Sequence, residues 1–251
     1  MAGHSKWANT KHRKARADAQ KGKVFTKIAR EIIVAAREGG PDPEANFRLR
    51  LAVQKAREVN MPGDNINRAI QKGSGEGDSI SLEQITYEGY GPSGVAVLLE
   101  IMTDNRNRTA ADIRHIFSRR GGSMGESGCV AWIFNRKGYL TIDHTEGLPS
   151  EDELMMLALE GGAEDFQTEE NSYVILTSTE DFERVKDTFM KENIELSTAE
   201  VTMVPSNLVR IEDADEAAKV LNLLEALEEH DDVQNVYANF DIPDKIMQSL
   251  Q

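Results

Sequence analysis

The hydrophobic spacing of the chain changes once, close to residue 78, and this change limits the folds available to it. In the first part, apolar residues such as Val24, Ile28 and Ile32 recur at helical spacing. In the later part, short apolar runs alternate with turn residues, as they do in strands. Residues 73–78 between the two parts are rich in glycine, which is typical of a flexible linker. We therefore predict a helical N-terminal domain followed by α+β structure.

Three helices are predicted in the N-terminal domain. The first contains Val24 to Ala36 and ends at Gly39, the second follows from Phe47, and the third begins at Pro62 or Asp64. Residues 60–65 between the last two have the composition of a turn. The sequence shows no helix-turn-helix with a recognisable recognition helix, and no spaced row of polar base-reading residues.

The segment 136–204 contains a complete alternation of strands and helices. The predicted order is strand 139–143, helix 154–159, strand 166–169, strand 172–177, helix 179–192 and strand 200–204. Ser150 and Glu153 have the spacing of a capping box at the start of the first helix. This β-α-β-β-α-β order is ferredoxin-like and can form a two-layer unit by itself.

The segments on either side of this unit are incomplete alone. Strands at 85–90, 95–103 and 129–135 accompany a helix at 110–120, and the C-terminal region adds one helix and one strand. A single helix and strand cannot bury an apolar face, so we expect them to dock onto the earlier strands. The predicted fold class is therefore α+β, with a helical N-terminal domain and two ferredoxin-like α+β domains, one inserted in the other. The predicted domains are 1–78, 79–135 with 205–251, and 136–204.

The net charge of −14 argues at first against a nucleic-acid partner, because an acidic protein repels a polyanion. The charge is distributed unevenly, however. Residues 1–80 carry 16 Lys and Arg against 9 Asp and Glu, whereas residues 145–251 carry 6 against 27. The first domain is therefore basic and the C-terminal half strongly acidic.

Other classes of protein are disfavoured by composition. The single Cys129 excludes an internal disulfide framework, and five dispersed histidines do not suggest a metal site. No apolar run approaches the ~20 residues of a membrane helix, and the first residues lack the apolar segment of a secretory signal. A basic N-terminus also suits a transit peptide, while a reducing cytoplasm is the default expectation.

No catalytic constellation is evident, so we predict that the protein is not an enzyme. The glycine-rich residues 121–128 lack the ending of a phosphate-binding loop and lie between a helix and a strand. Cys129 has no neighbouring base in the sequence. We expect no catalytic residue, metal, cofactor or small-molecule substrate.

The basic N-terminal segment is the most informative feature for function. It interleaves cations with aromatic and polar residues, a pattern that favours contact with phosphates and exposed bases. We predict nucleic-acid binding by Lys6, Trp7, Lys11, His12, Arg13, Lys14, Arg16, Lys21, Lys23, Lys27 and Arg30. The alternative is a solvated basic tail, but an exposed tryptophan is unusual in such a tail.

Two further groups of cations accompany this segment. The second and third helices carry Arg48, Arg50, Lys55, Arg57, Arg68 and Lys72, which alone are weak evidence. Residues 103–109 lie where a strand leads into a helix. There, Arg106 and Arg108 could bind a phosphate or a partner's carboxylate together with backbone amides at the start of the helix. Arg114 follows on the same helix and could add to this contact. The alternative is a structural loop, in which Asp104, Asn105 and Thr109 serve as turn and capping residues.

The sequence resembles the YebC/PmpR family. The resemblance rests on residues 3–14, 18–27, 60–66, 87–92 and 103–109 and on Arg114 with His115, while Thr10 and Cys129 depart from the expected pattern. It implies a cytoplasmic bacterial protein with a helical domain and two α+β domains, and it assigns residues 1–30 to the mature protein rather than to a transit peptide. Members of the family are described as DNA-binding transcriptional regulators, mitochondrial relatives act as translational activators, and bacterial members have been associated with ribosomes and with relief of stalling.

The sequence and the resemblance together predict a non-enzymatic, nucleic-acid-binding regulator of gene expression. The first interpretation is a DNA-binding transcriptional regulator. The alternative is a ribosome- or RNA-associated translation factor, because cations with a tryptophan suit structured or single-stranded RNA equally well. A protein-interaction scaffold that uses the acidic half is a second alternative.

Overall fold

A computed structural model describes residues 18–75, 82–169 and 171–250. The chain divides into two compact units. One unit contains the described residues up to Ala131 together with those from Leu208 onward, and the other is Trp132–Asn207. The chain therefore leaves the first unit, forms the second and returns. The predicted insertion, 136–204, lies a few residues inside the observed limits of the second unit.

Three helices form the N-terminal part of the first unit. They are α1 (Asp18–Gly39), α2 (Phe47–Glu58) and α3 (Gly63–Gly73). Helix α1 packs against both of the others through a shared core that includes Ile32, Leu49 and Ala69. The buried Asn46 fixes the turn between α1 and α2, because its side-chain amide donates to Ala35 O at 2.7 Å and its side-chain oxygen caps α2 at the amide of Leu49.

A four-stranded antiparallel sheet completes the first unit. Its strands are β1 (Glu83–Tyr90), β2 (Ala96–Thr103), β3 (Ser123–Met124) and β9 (Val233–Ala238), in the order β3-β1-β2-β9. Helices α4 (Arg106–Arg119) and α7 (Ala214–Glu228) share one apolar core with this sheet. The C-terminal helix and strand thus dock onto the earlier strands as the sequence predicts. The short strands β8 (Val209–Arg210) and β10 (Phe240–Asp241) pair in parallel, and α8 (Asp244–Ser249) follows.

The second unit has the predicted β-α-β-β-α-β order. Its elements are β4 (Phe134–Asp143), α5 (Glu151–Gly161), β5 (Ala163–Thr168), β6 (Ser172–Thr177), α6 (Phe182–Lys191) and β7 (Thr198–Pro205). The antiparallel sheet has the order β5-β6-β4-β7. The capping box is present, with the amide and hydroxyl of Ser150 both 2.8 Å from the Glu153 carboxylate. The predicted α+β class, with a helical region and two sheet-containing domains, is confirmed.

The strand predicted at 129–135 is wrong. Residues 125–130 form a loop, Ala131–Ile133 form a single 3-10 turn, and β4 begins at Phe134. The reason is Glu88 on β1, whose carboxylate accepts the amides of Gly128, Val130 and Ala131 at 2.6–2.7 Å. Those amides are then unavailable for a strand ladder. Burial alone would raise the pKa of Glu88, but the three amide hydrogen bonds outweigh it and lower the pKa.

In the described part of the chain, no helix combines the length and the apolar character that crossing a bilayer requires.

Helices α1 and α3 are in close contact at Gly73, which leads to a test of the helical packing. A Cβ at this position would lie 2.5 Å from Ile33 O and 2.7 Å from the Ala36 Cβ. We expect Gly73→Ala to lower the free energy of unfolding by about 2 kcal/mol, because the helices must move apart. Chemical denaturation monitored by circular dichroism measures this change.

The matched control is Gly22→Ala in α1, where an added Cβ meets nothing within 4 Å. It should leave stability unchanged or raise it by up to about 1 kcal/mol, since alanine has the higher helix propensity. Equal effects of the two substitutions would contradict the close α1–α3 packing.

Candidate nucleic-acid interface

Most of the predicted basic segment lies outside the described residues. This applies to Lys6, Trp7, Lys11, His12, Arg13, Lys14 and Arg16. Lys21 lies in the first turns of α1. Nucleic-acid binding by these residues stays a prediction.

Lys23, Lys27 and Arg30 occupy one side of α1 and face the C-terminal end of α7. The Lys23 ammonium lies 3.3 Å from Glu229 O, and that of Lys27 lies 2.7 Å from Glu228 O. The carbonyl end of a helix carries partial negative charge, which cations stabilise. These lysines therefore join the helical region to α7, which is a structural role that the sequence did not reveal.

Arg30 is engaged more fully than either lysine. Its guanidinium lies 2.5 Å from the Asp232 carboxylate, 2.6 Å from Asp231 O and 3.0 Å from Met102 O. The side chain is only 18% exposed. Because one guanidinium nitrogen contacts all three acceptors and the side chain is largely buried, Arg30 has a structural role, and its binding of nucleic acid stays a prediction.

Asp232 lies at the centre of a buried polar cluster that joins three parts of the first unit. Besides Arg30, its carboxylate contacts Arg108 at 3.0 Å and the hydroxyls of Thr109 and Thr103 at 2.5 and 3.2 Å. The Asp232 side chain is 3% exposed. We call these five residues the Asp232 cluster. Sequence reasoning missed Asp232, because a single aspartate after a helix does not indicate partners more than 100 residues earlier.

The environment of Asp232 favours its charged form. Burial alone would raise the pKa of this carboxyl, but hydrogen bonds from Thr109, Arg108 and Arg30, together with the charge of Arg30, lower it from 3.8 to about 2. The charged carboxylate is therefore part of the folded structure at every pH well above 4.

The cluster accounts for much of residues 103–109. Asn105 caps α4 by accepting the amide of Arg108, and the guanidinium of Arg108 pairs with Asp104 at 2.8 Å as well as with Asp232. Arg108 thus has a structural role. Arg106 and Arg114 are exposed, and Arg106 contributes its backbone carbonyl to the Tyr87 hydroxyl at 3.2 Å. All three predicted arginines are exposed, and Arg106 and Arg114 are the two that form no ion pair within the described residues.

The outer surfaces of α2 and α3 carry cations with few acidic partners. Arg48 is paired, with Glu31 at 2.7 Å and Glu38 at 2.6 Å. The remaining cations are exposed and form no ion pair with a carboxylate in the described part of the chain. They are Arg50, Lys55, Arg57, Arg68 and Lys72. Unpaired cations on adjacent helices are suited to contact with a polyanion.

Helices α2 and α3 are joined by a turn of four residues, Val59 to Pro62, in which Asn60 has a φ of 60°. A turn of about this length also joins the two helices of helix-turn-helix motifs. The solvent face of α3 presents Asn67, Arg68, Gln71 and Lys72. Asparagine and glutamine can read adenine, and arginine and lysine can read guanine. The sequence analysis did not predict such a row. The spacing of residues 67, 68, 71 and 72, which places four polar residues on one side of a helix, could have indicated it.

A shallow groove of about 270 Å³ lies between α1 and α3. Its lining is mainly apolar and includes Phe25, Ala29 and Met61, while Arg68 and Lys72 line it with positive charge. An aromatic ring beside two cations can accept a flat base with its phosphate.

Nothing in the described residues forms a metal centre, since no group of three or more His, Cys, Asp or Glu side chains could hold an ion there. The glycine-rich residues 121–128 do not form an open phosphate site either. The Gly125 amide donates to Glu88 O at 2.8 Å, and the Gly128 amide is taken by the Glu88 carboxylate. The carboxylate of Glu88 thus binds the amide that a phosphate or another external anion would need.

The fold and the exposed cations define a multidomain α+β protein with a basic helical N-terminal region. Two family models match the chain. The TACO1/YebC N-terminal domain matches residues 5–76, and the TACO1/YebC second and third domain matches residues 82–240. The chain belongs to the TACO1/YebC family, which confirms the resemblance seen in the sequence.

Relatives align with the chain over nearly its full length. A protein of Natranaerobius thermophilus is 60% identical over 99% of this chain and 100% of the relative. A protein of Halothermothrix orenii is 57% identical over 100% and 99%. Both are named "Probable transcriptional regulatory protein". A crystal structure of a conserved hypothetical protein from Aquifex aeolicus has a TM-score of 0.77 and 50% identity, covering 91% of this chain and 93% of that one. The relatives' names support a regulator of gene expression.

Removal of the charge at the centre of the Asp232 cluster should be strongly destabilising. We expect Asp232→Asn to lower the free energy of unfolding by about 3 kcal/mol, because Arg30 and Arg108 lose the carboxylate that balances their charge. Denaturant titration measures the change. The control is Asp231→Asn, an exposed neighbour, which should stay within about 0.5 kcal/mol. Equal stability of the two variants would refute the role of the cluster.

The low pKa of Asp232 also predicts a pH dependence. The unfolded chain binds a proton near pH 4, whereas the folded carboxyl binds one only near pH 2. The stabilisation is therefore complete above pH 4 and is lost as the pH falls through about 2, a change of about 2 kcal/mol. Stability curves of the wild type and Asp232→Asn should converge by this amount between pH 4 and pH 2. Parallel curves would contradict the assignment.

Proposed function

We propose that this protein is a non-enzymatic regulator of gene expression that binds nucleic acid through its basic helical N-terminal region in the cytoplasm. The observation that carries the proposal is the set of exposed cations on α2 and α3 that lack carboxylate partners in the described residues. Residues 1–17 add five Lys and Arg without any Asp or Glu. Such a surface gains affinity for nucleic acid by displacing counterions.

The first candidate ligand is duplex DNA. The short α2–α3 turn and the polar face of α3 support it, because a helix of this kind can enter the major groove and read base edges. The relatives' names also favour transcription. In this interpretation α3 reads bases, and Arg50, Lys55 and Arg57 contact phosphates.

The second candidate ligand is RNA, including ribosomal RNA. The groove between α1 and α3 favours it, since an aromatic floor with cations at its side suits an unpaired base better than a duplex. A ribosome-associated factor would use the same basic region, with Arg106 and Arg114 as further contacts.

Crosslinking in growing cells, followed by sequencing of both bound DNA and bound RNA, separates the two candidates. Enrichment of promoter DNA without ribosomal RNA supports transcriptional regulation. Enrichment of ribosomal RNA without promoters supports the translational role. Absence of enrichment in both fractions would refute nucleic-acid binding.

Substitutions on α3 test the duplex interpretation in vitro. On the preferred DNA, Asn67→Ala with Gln71→Ala should lower discrimination against a scrambled duplex by about ten-fold, since one lost base contact is worth about 1–3 kcal/mol. The salt dependence should not change, because neither side chain is charged. Arg68→Gln with Lys72→Gln should weaken binding to both duplexes and flatten the salt slope by about one per cation. Fluorescence anisotropy at several salt concentrations measures both effects.

The matched control is Lys191→Gln with Lys219→Gln, which removes the same charge from exposed positions on α6 and α7. It should leave the salt slope unaltered. If both charge variants weaken binding equally, the effect comes from net charge and not from α3. If Asn67→Ala with Gln71→Ala leaves sequence discrimination intact, α3 does not read bases.

A further inference from the structure

Helix α5 of the second unit is apolar on both its inner and its outer side. The inner residues Leu154 and Ala158 are fully buried in the core. On the opposite side, Met155, Met156 and Leu159 are 37%, 57% and 55% exposed. A surface helix normally presents polar residues to water, and a helix that is apolar all round is normally buried. The outer side of α5 therefore exposes more apolar surface than a surface helix normally does.

The exposed apolar residues of α5 are neighbours at helical spacing, since Leu159 follows Met155 and Met156 by four and three positions. We call Met155, Met156 and Leu159 the methionine face. Single exposed apolar residues are common, but several grouped on one side of a helix are characteristic of a binding surface.

The charges around the methionine face are mainly negative. The unit Trp132–Asn207 carries 17 Asp and Glu against 5 Lys and Arg. Asp152 and Glu160 are exposed on the outer side of α5, next to the methionines. Glu151 accepts from Thr168 and Glu153 serves the capping box, so those two carboxylates are already engaged. The surface thus combines polarisable methionine side chains with the exposed carboxylates of Asp152 and Glu160.

We propose that the methionine face binds a basic amphipathic helix of a partner protein. The apolar side of such a helix would cover the methionines, which adapt to varied shapes, and its Lys or Arg residues would pair with Asp152 and Glu160. A second copy of this chain is a poorer occupant, because two units with a net charge of −12 each would repel one another at this face. The proposal concerns a protein partner and is independent of nucleic-acid binding.

The unaltered full chain provides the first test. The probe is a synthetic amphipathic helix of Lys and Leu, titrated into protein labelled with 13C at the methionine methyl groups. We expect saturable shifts of the Met155 and Met156 signals, weakened by salt, and none for Met61 and Met102, which are buried in the first unit. Equal binding of a Glu and Leu peptide, or the absence of saturable shifts, would overturn the proposal.

Substitutions provide the second test. Met156→Ser with Leu159→Ser should weaken peptide binding by about ten-fold, whereas Leu51→Ser with Val201→Ser, which alters exposed apolar residues elsewhere, should change it by less than about two-fold. Circular dichroism and thermal unfolding establish that each variant is folded. If both pairs of substitutions weaken peptide binding equally, the methionine face is not the binding site. Concentration-dependent self-association that only the first pair abolishes would assign the face to a second copy and contradict the proposal.

Discussion

The structure of the first unit depends on the buried carboxylate of Asp232. A charge removed from water costs several kcal/mol unless partners compensate for it, and here they come from α1, from the end of β2 and from the start of α4. None of these segments can satisfy Asp232 alone, so they must assemble together. The helical region is consequently fixed to the first sheet. These contacts also explain why Arg30, one of the basic residues of α1, stabilises the fold.

The proposed binding surface therefore contains only some of the positively charged residues of this part of the chain. Arg30, Arg48 and Arg108 are committed to carboxylates, and Lys23 and Lys27 to helix carbonyls. The cations that stay open lie on α2, on α3 and on α4, where ligands can approach them. The number of Lys and Arg residues in the sequence is therefore larger than the number that a polyanion can contact. The ion pairs and hydrogen bonds in the structure show which of these cations to test by substitution.

Local patterns were predicted well and distant contacts were not. The helical spacing of α1, the Ser150–Glu153 capping box and the β6 strand depend on neighbouring residues, and the structure has all three. The loop before β4 was misread as a strand because its amides bind Glu88, about 40 residues earlier. The ion pair of Arg30 was not predicted because its partner Asp232 is 202 positions away. The turn at 60–65 and the helices on both sides of it were predicted, but the row of exposed polar side chains on α3 was not.

The insertion of the second unit has a consequence for the order of folding. Strand β2 pairs with β9, and the two are separated along the chain by the whole of Trp132–Asn207. During synthesis, one edge of β2 must wait without its final neighbour until Val233 has left the ribosome. The inserted unit needs only strands between Phe134 and Pro205, so it can fold while the first sheet is still open. The acidic unit can therefore complete its sheet before the ribosome has synthesised Asp232, the residue that fixes the basic helical region to the first sheet.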